Sequence, residues 1–241
     1  MERPMQDRAL RTRELLLRAA AEEFDASGYA GTGLNKIAKR AGLTVGALYF
    51  HFESKEGIAK AVMQSQPQSI EPSLDTQGLQ RIVDITRVWS HQLLQDPLLR
   101  AGVRLSVEQG SFGVHDITPY LQWRDIMAQC LCDARDRGEL LPGIDPMWVA
   151  EFVVSACTGV QLYAQLVNGR KDLPERTVEM WRLLLPGIAT PGTLPRIDLS
   201  LRRGDESHPA APSTATPSTV TPDTTPPDST GAESEAGDRN R

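Results

Sequence analysis

Apolar and polar residues repeat with helical spacing along most of this chain, and the pattern is clearest between Leu34 and Gly57. Four apolar residues at its start fall at i, i+3, i+4 and i+7, the spacing of one buried helix face. They are Leu34, Ile37, Ala38 and Ala41. Gly42 can adopt the positive φ that ends a helix, and Thr44 and Ser54 are good N-caps for two more helices. Short helices joined by a glycine turn form a helix-turn-helix, whose second helix enters the major groove of DNA.

The residues before this segment predict one long helix, from about Asp7 to Ser27, which Gly28 is placed to end. Its buried stripe consists of Leu16, Ala19, Ala20 and Phe24. Three arginines stand near its beginning, and they fit either phosphate contact from the helix start or an ordinary solvated face. They are Arg8, Arg11 and Arg13.

After Lys60 the chain changes character. The stretch from Gln64 to Gln77 contains two prolines and few large apolar residues, which indicates a connection between domains. Asp96-Pro97 and Asp145-Pro146 each combine an N-cap with a proline at the first helical position, a strong start signal. Helices are therefore expected from about Gly78, Pro97, Pro119, Pro146 and Pro174. These patterns predict an all-α fold.

The helix after Pro146 is apolar on more than one face. Such a helix is either central in its domain or shared with a partner. The next helix, from Pro174 to Leu185, is also rich in apolar residues. Two consecutive apolar helices late in the chain fit the four-helix contact of a symmetric homodimer.

Composition and charge set the outer limits. The 241 residues are 40% hydrophobic, which suffices for one or two domains with real cores. There is no apolar run of about 18 residues and no apolar signal segment, so we expect a soluble, cytoplasmic protein without a membrane partner.

The formal net charge of −5 at first argues against a nucleic-acid partner. However, residues 205–241 hold seven acids and two bases, so they carry the whole −5. Residues 1–66 hold ten Lys/Arg against eight Asp/Glu, a slight positive excess that is weakly compatible with DNA binding. The last segment is rich in Pro, Ser and Thr, and we expect a disordered acidic tail there.

Catalytic, metal and cofactor sites have little support. The three cysteines are best explained as small core residues, and two of them, Cys130 and Cys132, point in different directions on one helix. The four histidines form no metal-binding pattern, and no phosphate loop or nucleophile elbow is present in the sequence. We therefore expect neither an enzyme nor a bound metal or cofactor.

The residue types of the second helix fit a DNA-contacting surface. Gly46 and Ala47 are small, which lets the helix backbone approach DNA closely. Four side chains offer donors suited to phosphate oxygens, namely Thr44, Tyr49, His51 and Lys55. The alternative is that the aromatic residues belong to the core and His51 is merely solvated. We expect Phe50 and Phe52 to be core residues in either case.

The segment AGLTVGALYFHFESKEG closely resembles the recognition segment of the TetR family of dimeric repressors, above all in YFHF followed by SKE. The resemblance implies phosphate contacts by Thr44, Tyr49, His51 and Lys55. It further implies that Val45, Gly46 and Ala47 face the base edges. Many relatives carry Lys or Arg at the position of Val45, so base reading here would rely on apolar contact with thymine methyl groups.

The second half resembles the γ-butyrolactone receptors of actinomycetes within that family. The resembling runs are RLSVEQGSFG, RDRGEL, TGVQ, GRKDL and MWRLLLPGI, and the resemblance covers roughly residues 8 to 190. It implies a repressor that releases its operator when a small lactone binds. A related subgroup, the pseudo-receptors, responds instead to antibiotics or their intermediates, and this alternative stays open.

Trp123 lies in helical register with Met127 and Cys130, so its indole should point inward. From the residues alone it is a large core side chain. The resemblance instead places it in the wall of the ligand pocket, with Met127 beside it. Thr158 and Gln161 would then add hydrogen bonds to carbonyl or hydroxyl groups, with Gln64 as a weaker candidate.

Together these predictions describe an all-α, TetR-like homodimer. Residues 1–60 would form a three-helix helix-turn-helix domain, 61–190 a helical ligand-binding and dimerisation domain, and 204–241 a disordered tail. The expected partners are a pseudo-palindromic operator, a small-molecule inducer and a second copy of the chain.

Overall fold

The computed structural model describes residues 3–66 and 74–200, and within them the chain forms nine α-helices. These are α1 (Arg3–Gly31), α2 (Leu34–Ala41), α3 (Val45–Phe52), α4 (Lys55–Gln64), α5 (Gly78–Gln95), α6 (Pro97–Glu108), α7 (Thr118–Asp136), α8 (Pro146–Asn168) and α9 (Leu173–Ile188). The one strand-like feature of this part of the chain is an isolated antiparallel bridge between Leu140 and Ala189. The predicted all-α fold is confirmed.

Local capping chemistry sets the helix-turn-helix. Gly42 follows α2 with a left-handed backbone (φ 66°, ψ 28°), as the sequence predicted. The Thr44 hydroxyl accepts a hydrogen bond from the Ala47 amide at 3.2 Å, and the Ser54 hydroxyl accepts one from Gly57 at 3.0 Å. Each cap satisfies an amide that the first turn of its helix leaves without a partner.

Helix α1 runs from Arg3 to Gly31 and is therefore longer at both ends than the predicted helix from Asp7 to Ser27. Gly28 does leave the helical conformation (φ 66°, ψ −178°), and the chain then continues through one more turn. A Cβ at this position would lie 2.7 Å from the Arg104 guanidinium, so the kink also brings the backbone close to α6.

Two apolar cores share one helix. The first core joins α1–α4, and it includes Ala101 and Leu105 from α6. The second core joins α5, α7, α8 and α9, and it takes Leu99 and Val103 from α6. Thus α6 contributes fully or nearly fully buried side chains to both halves of the described structure.

Two sequence predictions about burial are wrong. Phe50 is 82% exposed, whereas Phe52 is buried as expected. Helix α3 meets the core through Leu48 and Phe52, which are four residues apart, and Phe50 between them faces the opposite side. Of the three free cysteines, Cys130 is buried and half-buried Cys157 packs against the second core, whereas Cys132 is half-buried and is not part of that core cluster.

The segment after α9 packs back along α5. The Gln80 side chain pairs with the Asp198 backbone, since its amide oxygen accepts from the Asp198 amide at 2.8 Å. The guanidinium of Arg87, which is 2% exposed, donates to the carbonyl oxygens of Asp198 and Ser200. These contacts fix residues 197–200 as an extended strap on the second core. The predicted acidic tail, 204–241, lies outside the described residues, as do the two prolines of the predicted interdomain connection.

Candidate functional site

Helix α3 presents the predicted DNA-contacting residues at one surface of the molecule. Thr44, Gly46 and Tyr49 are exposed, and Tyr49 keeps 51% of its surface accessible. The half-buried members of the set are Val45, Ala47, His51 and Lys55. The structure therefore brings all seven predicted residues to α3, to its N-cap or to the first residue of α4. Exposed Phe50 adds an apolar side chain that the prediction had placed in the core.

Lys55, at the start of α4, is held over an aromatic ring. Its ammonium nitrogen lies 4.2 Å from the centroid of Tyr29, an attractive cation–π geometry. The Tyr29 hydroxyl in turn donates to the Glu56 carboxylate at 2.6 Å. Partial burial lowers the pKa of Lys55, and the hydrogen bond from Tyr29 lowers the pKa of Glu56. The cluster orders a cationic group beside α3.

Other cations near α3 differ in how they are engaged. The Arg13 guanidinium lies 5.0 Å from the centroid of the Phe52 ring, which keeps it close to the end of α3. Arg40 of α2 is instead paired with Glu22 at 2.8 Å and Glu23 at 2.6 Å. Arg13 is thus available to an anion from solution, whereas the charge of Arg40 is already balanced.

An apolar cavity lies between α5, α6, α7 and α8, with a volume of about 60 Å³. Its wall consists of Gln66, Thr86, Trp89, Val103, Ser106, Pro119, Tyr120, Trp123, Met127, Val153, Val154, Cys157, Thr158 and Gln161. Pockets that hold drug-sized ligands measure about 300–1,000 Å³. A ligand of that size would have to enlarge the cavity by displacing its walls.

Four of the five predicted ligand residues line this cavity, namely Trp123, Met127, Thr158 and Gln161. The fifth, Gln64, does not. Its side chain is on the exposed side of α4 and donates to Asp116 at 3.4 Å. Gln64 lies outside this cavity because α4 ends at this residue and turns its side chain outward, and a role for it in ligand binding stays a prediction.

Polar groups in the wall are few and specific. The Thr158 hydroxyl donates to the Val154 carbonyl one turn earlier, at 2.9 Å, and keeps its acceptor lone pairs. The Gln161 side-chain oxygen accepts from Arg170 at 3.1 Å, while its buried Nε2 has no hydrogen-bond partner among the residues that the structure describes. Burial raises the pKa of the Cys157 thiol to about 12, so this group is neutral at physiological pH. The cavity offers an unused amide donor and a flat indole wall.

Gln66 is one of the cavity residues that the sequence analysis did not identify. It is 4% exposed, and its Nε2 donates to the Met63 carbonyl and to the Ser106 hydroxyl, both at 3.1 Å. A Cβ at Gly102 would lie 2.7 Å from its Cγ, so Gln66 packs directly on the backbone of α6. This side chain links the cavity to the end of α4. It stands just beyond a helix end, where periodicity carries no signal.

Helix α6 also reaches the end of α1. The Glu108 carboxylate accepts from the Tyr29 amide at 3.0 Å and from the Arg104 Nε at 2.7 Å. Arg104 donates further to the Asp25 carbonyl at 2.7 Å. One face of α6 thus touches the cavity through Val103, while its polar side chains hold the kinked end of α1.

Helices α8 and α9 carry large apolar side chains on the surface of the single chain. Trp148 is 72% exposed, Leu166 85% and Leu183 84%. Phe152 and Tyr163 lie on the same stripe of α8 as Trp148 and Leu166 and are also exposed. By length and composition alone, α8 could cross a membrane. A continuous apolar face of this extent is typical of an interaction surface.

Comparison with known families matches both halves of the chain. A family described as "Bacterial regulatory proteins, tetR family" matches residues 16–62. A second, described as "Tetracyclin repressor-like, C-terminal domain", matches residues 76–190. The two matches span the helix-turn-helix and the helices around the cavity.

Individual relatives extend the likeness. The A-factor receptor protein of Streptomyces griseus is 42% identical over 194 residues, which is 80% of this chain and 69% of the receptor. The crystal structure of TylP, a TetR regulator from Streptomyces fradiae, is 39% identical with a TM-score of 0.77, covering 83% of this chain and 97% of TylP. A γ-butyrolactone receptor described as ArpA-like is 30% identical with a TM-score of 0.63, covering 82% of this chain and 99% of the receptor.

Proposed function

Because the chain belongs to the TetR family of ligand-responsive DNA-binding repressors, we propose that it leaves a pseudo-palindromic operator when a γ-butyrolactone-type autoregulator fills its cavity. The observation that carries this proposal is the apolar cavity with Trp123 in its wall and Gln66 joining it to α4. Regulators of this family bind operator DNA and small ligands as dimers. They are not enzymes.

On DNA, the proposed role of α3 is to enter the major groove. Val45, Gly46 and Ala47 would face the base edges, with apolar contact to thymine methyl groups in place of a basic side chain. Thr44, Tyr49, His51 and Lys55 would contact phosphates, and these contacts fix the register without reading sequence. The Tyr29 ring supports this role of Lys55 by ordering its ammonium before DNA arrives.

In the dimer, the apolar faces of α8 and α9 would meet their copies in the second subunit. This contact gives the exposed Trp148, Leu166 and Leu183 an apolar environment without a membrane, and it agrees with a cytoplasmic, soluble regulator. A symmetric dimer places two copies of α3 on one face, and half-sites read by such dimers are spaced about 34–36 Å apart, one turn of DNA.

The ligand would act by enlarging the cavity. A lactone ring with a short acyl chain fits against the Trp123 indole, and the free Gln161 amide can donate to a carbonyl oxygen. Since the cavity of about 60 Å³ is smaller than such a ligand, its walls would have to move. Two of those walls, Gln66 and Ser106, are hydrogen-bonded to each other and belong to the segments that support α4 and α6.

In this proposal the dimer is in equilibrium between two conformations. One state keeps the two recognition helices in register with the operator, and the other spreads them. A ligand shifts this equilibrium only by its difference in affinity for the two states. To move the population from almost all DNA-bound to almost all released, the ligand must bind the released state more tightly by about 5.5 kcal/mol.

The test is a gel shift of the DNA upstream of the protein's own coding sequence, repeated with synthetic γ-butyrolactones and with extract of host cultures. Release by a butyrolactone at a defined stoichiometry supports the proposal. Release by extract alone would redirect the ligand assignment to an antibiotic or a biosynthetic intermediate. A shifted complex that no small molecule dissolves, or no shift on any upstream fragment, would contradict it.

A further inference from the structure

A second, open cleft lies on the other side of Gln161, between α1, α6 and the end of α8, with a volume of about 670 Å³. Its charged lining consists of Arg100, Arg104, Arg170, Asp25 and Glu108. Three arginines against two carboxylates leave this cleft with a net positive charge. Unlike the cavity around Trp123, its wall is rich in polar groups that face solvent.

The two carboxylates of the cleft are already engaged. Asp25 pairs with Arg100 at 2.8 Å, and Glu108 pairs with Arg104 at 2.7 Å. Arg170 therefore has no carboxylate within ion-pair distance among the residues that the structure describes. Its one side-chain hydrogen bond there runs from Nε to the Gln161 oxygen at 3.1 Å, which leaves both Nη groups without a protein acceptor.

The environment of Arg170 makes this unbalanced charge costly. The residue is only 8% exposed, and buried charges are normally paired. Burial lowers the pKa of Arg170, and the like charges of Arg100 and Arg104 lower it further against the opposing effect of Asp25. Its backbone also adopts a left-handed conformation (φ 68°), which side chains other than glycine avoid. Non-glycine residues in this conformation are concentrated at functional sites such as ligand clamps.

We propose that this cleft is a second ligand site, which binds a small anion of the carboxylate or phosphate-monoester class on the guanidinium of Arg170. The planar guanidinium offers two parallel N–H groups that match two anionic oxygens. Arg100 and Arg104 also line the cleft, each paired with a carboxylate, so Arg170 carries the unbalanced charge. The bound anion supplies the negative charge that Arg170 does not receive from the described protein residues.

This site is distinct from the proposed inducer cavity but adjoins it. Gln161 lines both, with its oxygen committed to Arg170 and its Nε2 unused. Arg100 and Arg104 also hold Asp25 near the kinked end of α1. An anion here would therefore bridge α8 to the helix that contacts the DNA-binding half. The inference rests on these contacts and does not require the lactone assignment.

The experiment uses the full-length protein without DNA or inducer. Inorganic phosphate and acetate, as separate probes, are titrated by calorimetry and by thermal melting, with chloride holding the ionic strength constant. The expected result is saturable binding of at least one probe and a rise in Tm, since a ligand of the folded state stabilises it. Phosphate binding alone assigns the site to phosphate monoesters, and acetate binding alone assigns it to carboxylates.

Variants locate the binding. Arg170→Gln should weaken the apparent affinity at least about tenfold. The variant loses a charged hydrogen-bond donor, and such a bond contributes more binding free energy than a tenfold change in affinity requires. Arg135→Gln, on the exposed end of α7, removes the same charge outside the cleft and should bind like the unaltered protein. If Arg170→Gln does not fold, Arg170→Lys keeps the charge, lacks the fork and should still show the loss. The proposal would be overturned if chloride raised the Tm as much as phosphate and acetate do, or if neither probe bound saturably. It would also be overturned if the Arg170 variants bound the probe as well as the unaltered protein.

Discussion

Trp123 illustrates how one side chain can belong both to a core and to a site. Its indole is 9% exposed, yet it borders empty space in the cavity as well as Met127. Truncating a fully packed Trp costs about 3–5 kcal/mol of folding free energy, whereas a wall residue already lacks neighbours on one side. The effect of truncation on stability should therefore be smaller than its effect on the ligand.

We predict that Trp123→Ala leaves operator affinity within about a factor of three and abolishes release by the inducer. Gel shifts with increasing inducer measure both quantities. Trp123→Phe, which keeps an aromatic wall, is the matched control and should retain a partial response. A variant that melts far lower and no longer binds DNA would show that Trp123 serves only the core.

At the DNA surface, we predict that Tyr49→Phe and Lys55→Gln weaken binding to all sequences about equally. Phosphate contacts carry no base information, and losing the one charge of Lys55 should reduce the salt dependence of log K by about one unit. Binding to operator and to unrelated duplexes at several salt concentrations measures this. A changed preference among sequences with unchanged overall affinity would refute the phosphate assignment.

At the scale of helices, the sequence predicted what local chemistry decides. The caps at Thr44, Ser54, Asp96 and Asp145 stand where expected, because each side chain bonds to an amide within three residues. What tertiary packing decides was less accessible. Phe50 is exposed because α3 has only one contact face, and Gln66 reaches the cavity only because α4 ends against α6. Neither fact is written in a local pattern.

The turn between α3 and α4 is too tight for a side chain at Gly57. A Cβ there would lie 2.0 Å from the Phe52 carbonyl oxygen, which is backbone and cannot swing away. We predict that Gly57→Ala lowers the free energy of unfolding by about 1–3 kcal/mol and weakens DNA binding. Denaturant unfolding and a gel shift measure the two effects. Gly110→Ala, where a Cβ meets nothing within 4 Å, is the control, and equal effects of both changes would contradict the steric argument.

The apolar stripe of α8 should decide the oligomeric state. We predict that Phe152→Glu converts the dimer to a monomer at micromolar concentration, since it places a charge in an apolar contact. Sedimentation or light scattering measures the mass. Ile117→Glu changes an equally exposed apolar residue away from α8 and should remain dimeric. A dimeric Phe152→Glu would place the subunit contact on another surface.

For the molecule as a whole, the strap at residues 197–200 is the last segment that we expect to contribute to folding stability. We predict that a chain ending at Arg203 keeps its Tm and dimerises. It should bind DNA equally or slightly better, because the removed segment carries the net −5. A chain ending at Arg196 loses the carbonyl acceptors of Arg87 and should unfold more easily by about 1–3 kcal/mol. Melting curves of both chains test this, and a large drop for the longer one would show that the tail is docked.

The sharing of α6 between the two cores bears on how such regulators can be recombined. Residues 1–60 alone would lack Ala101 and Leu105, so a recognition module cut at that point would expose part of its own interior. A chimera that exchanges DNA specificity between two regulators should therefore take α6 from the regulator that supplies residues 1–60. Otherwise the residues at positions 101 and 105 should be changed to match that regulator. We expect the same sharing to couple the unfolding of the two halves, because loss of either core exposes buried side chains of α6.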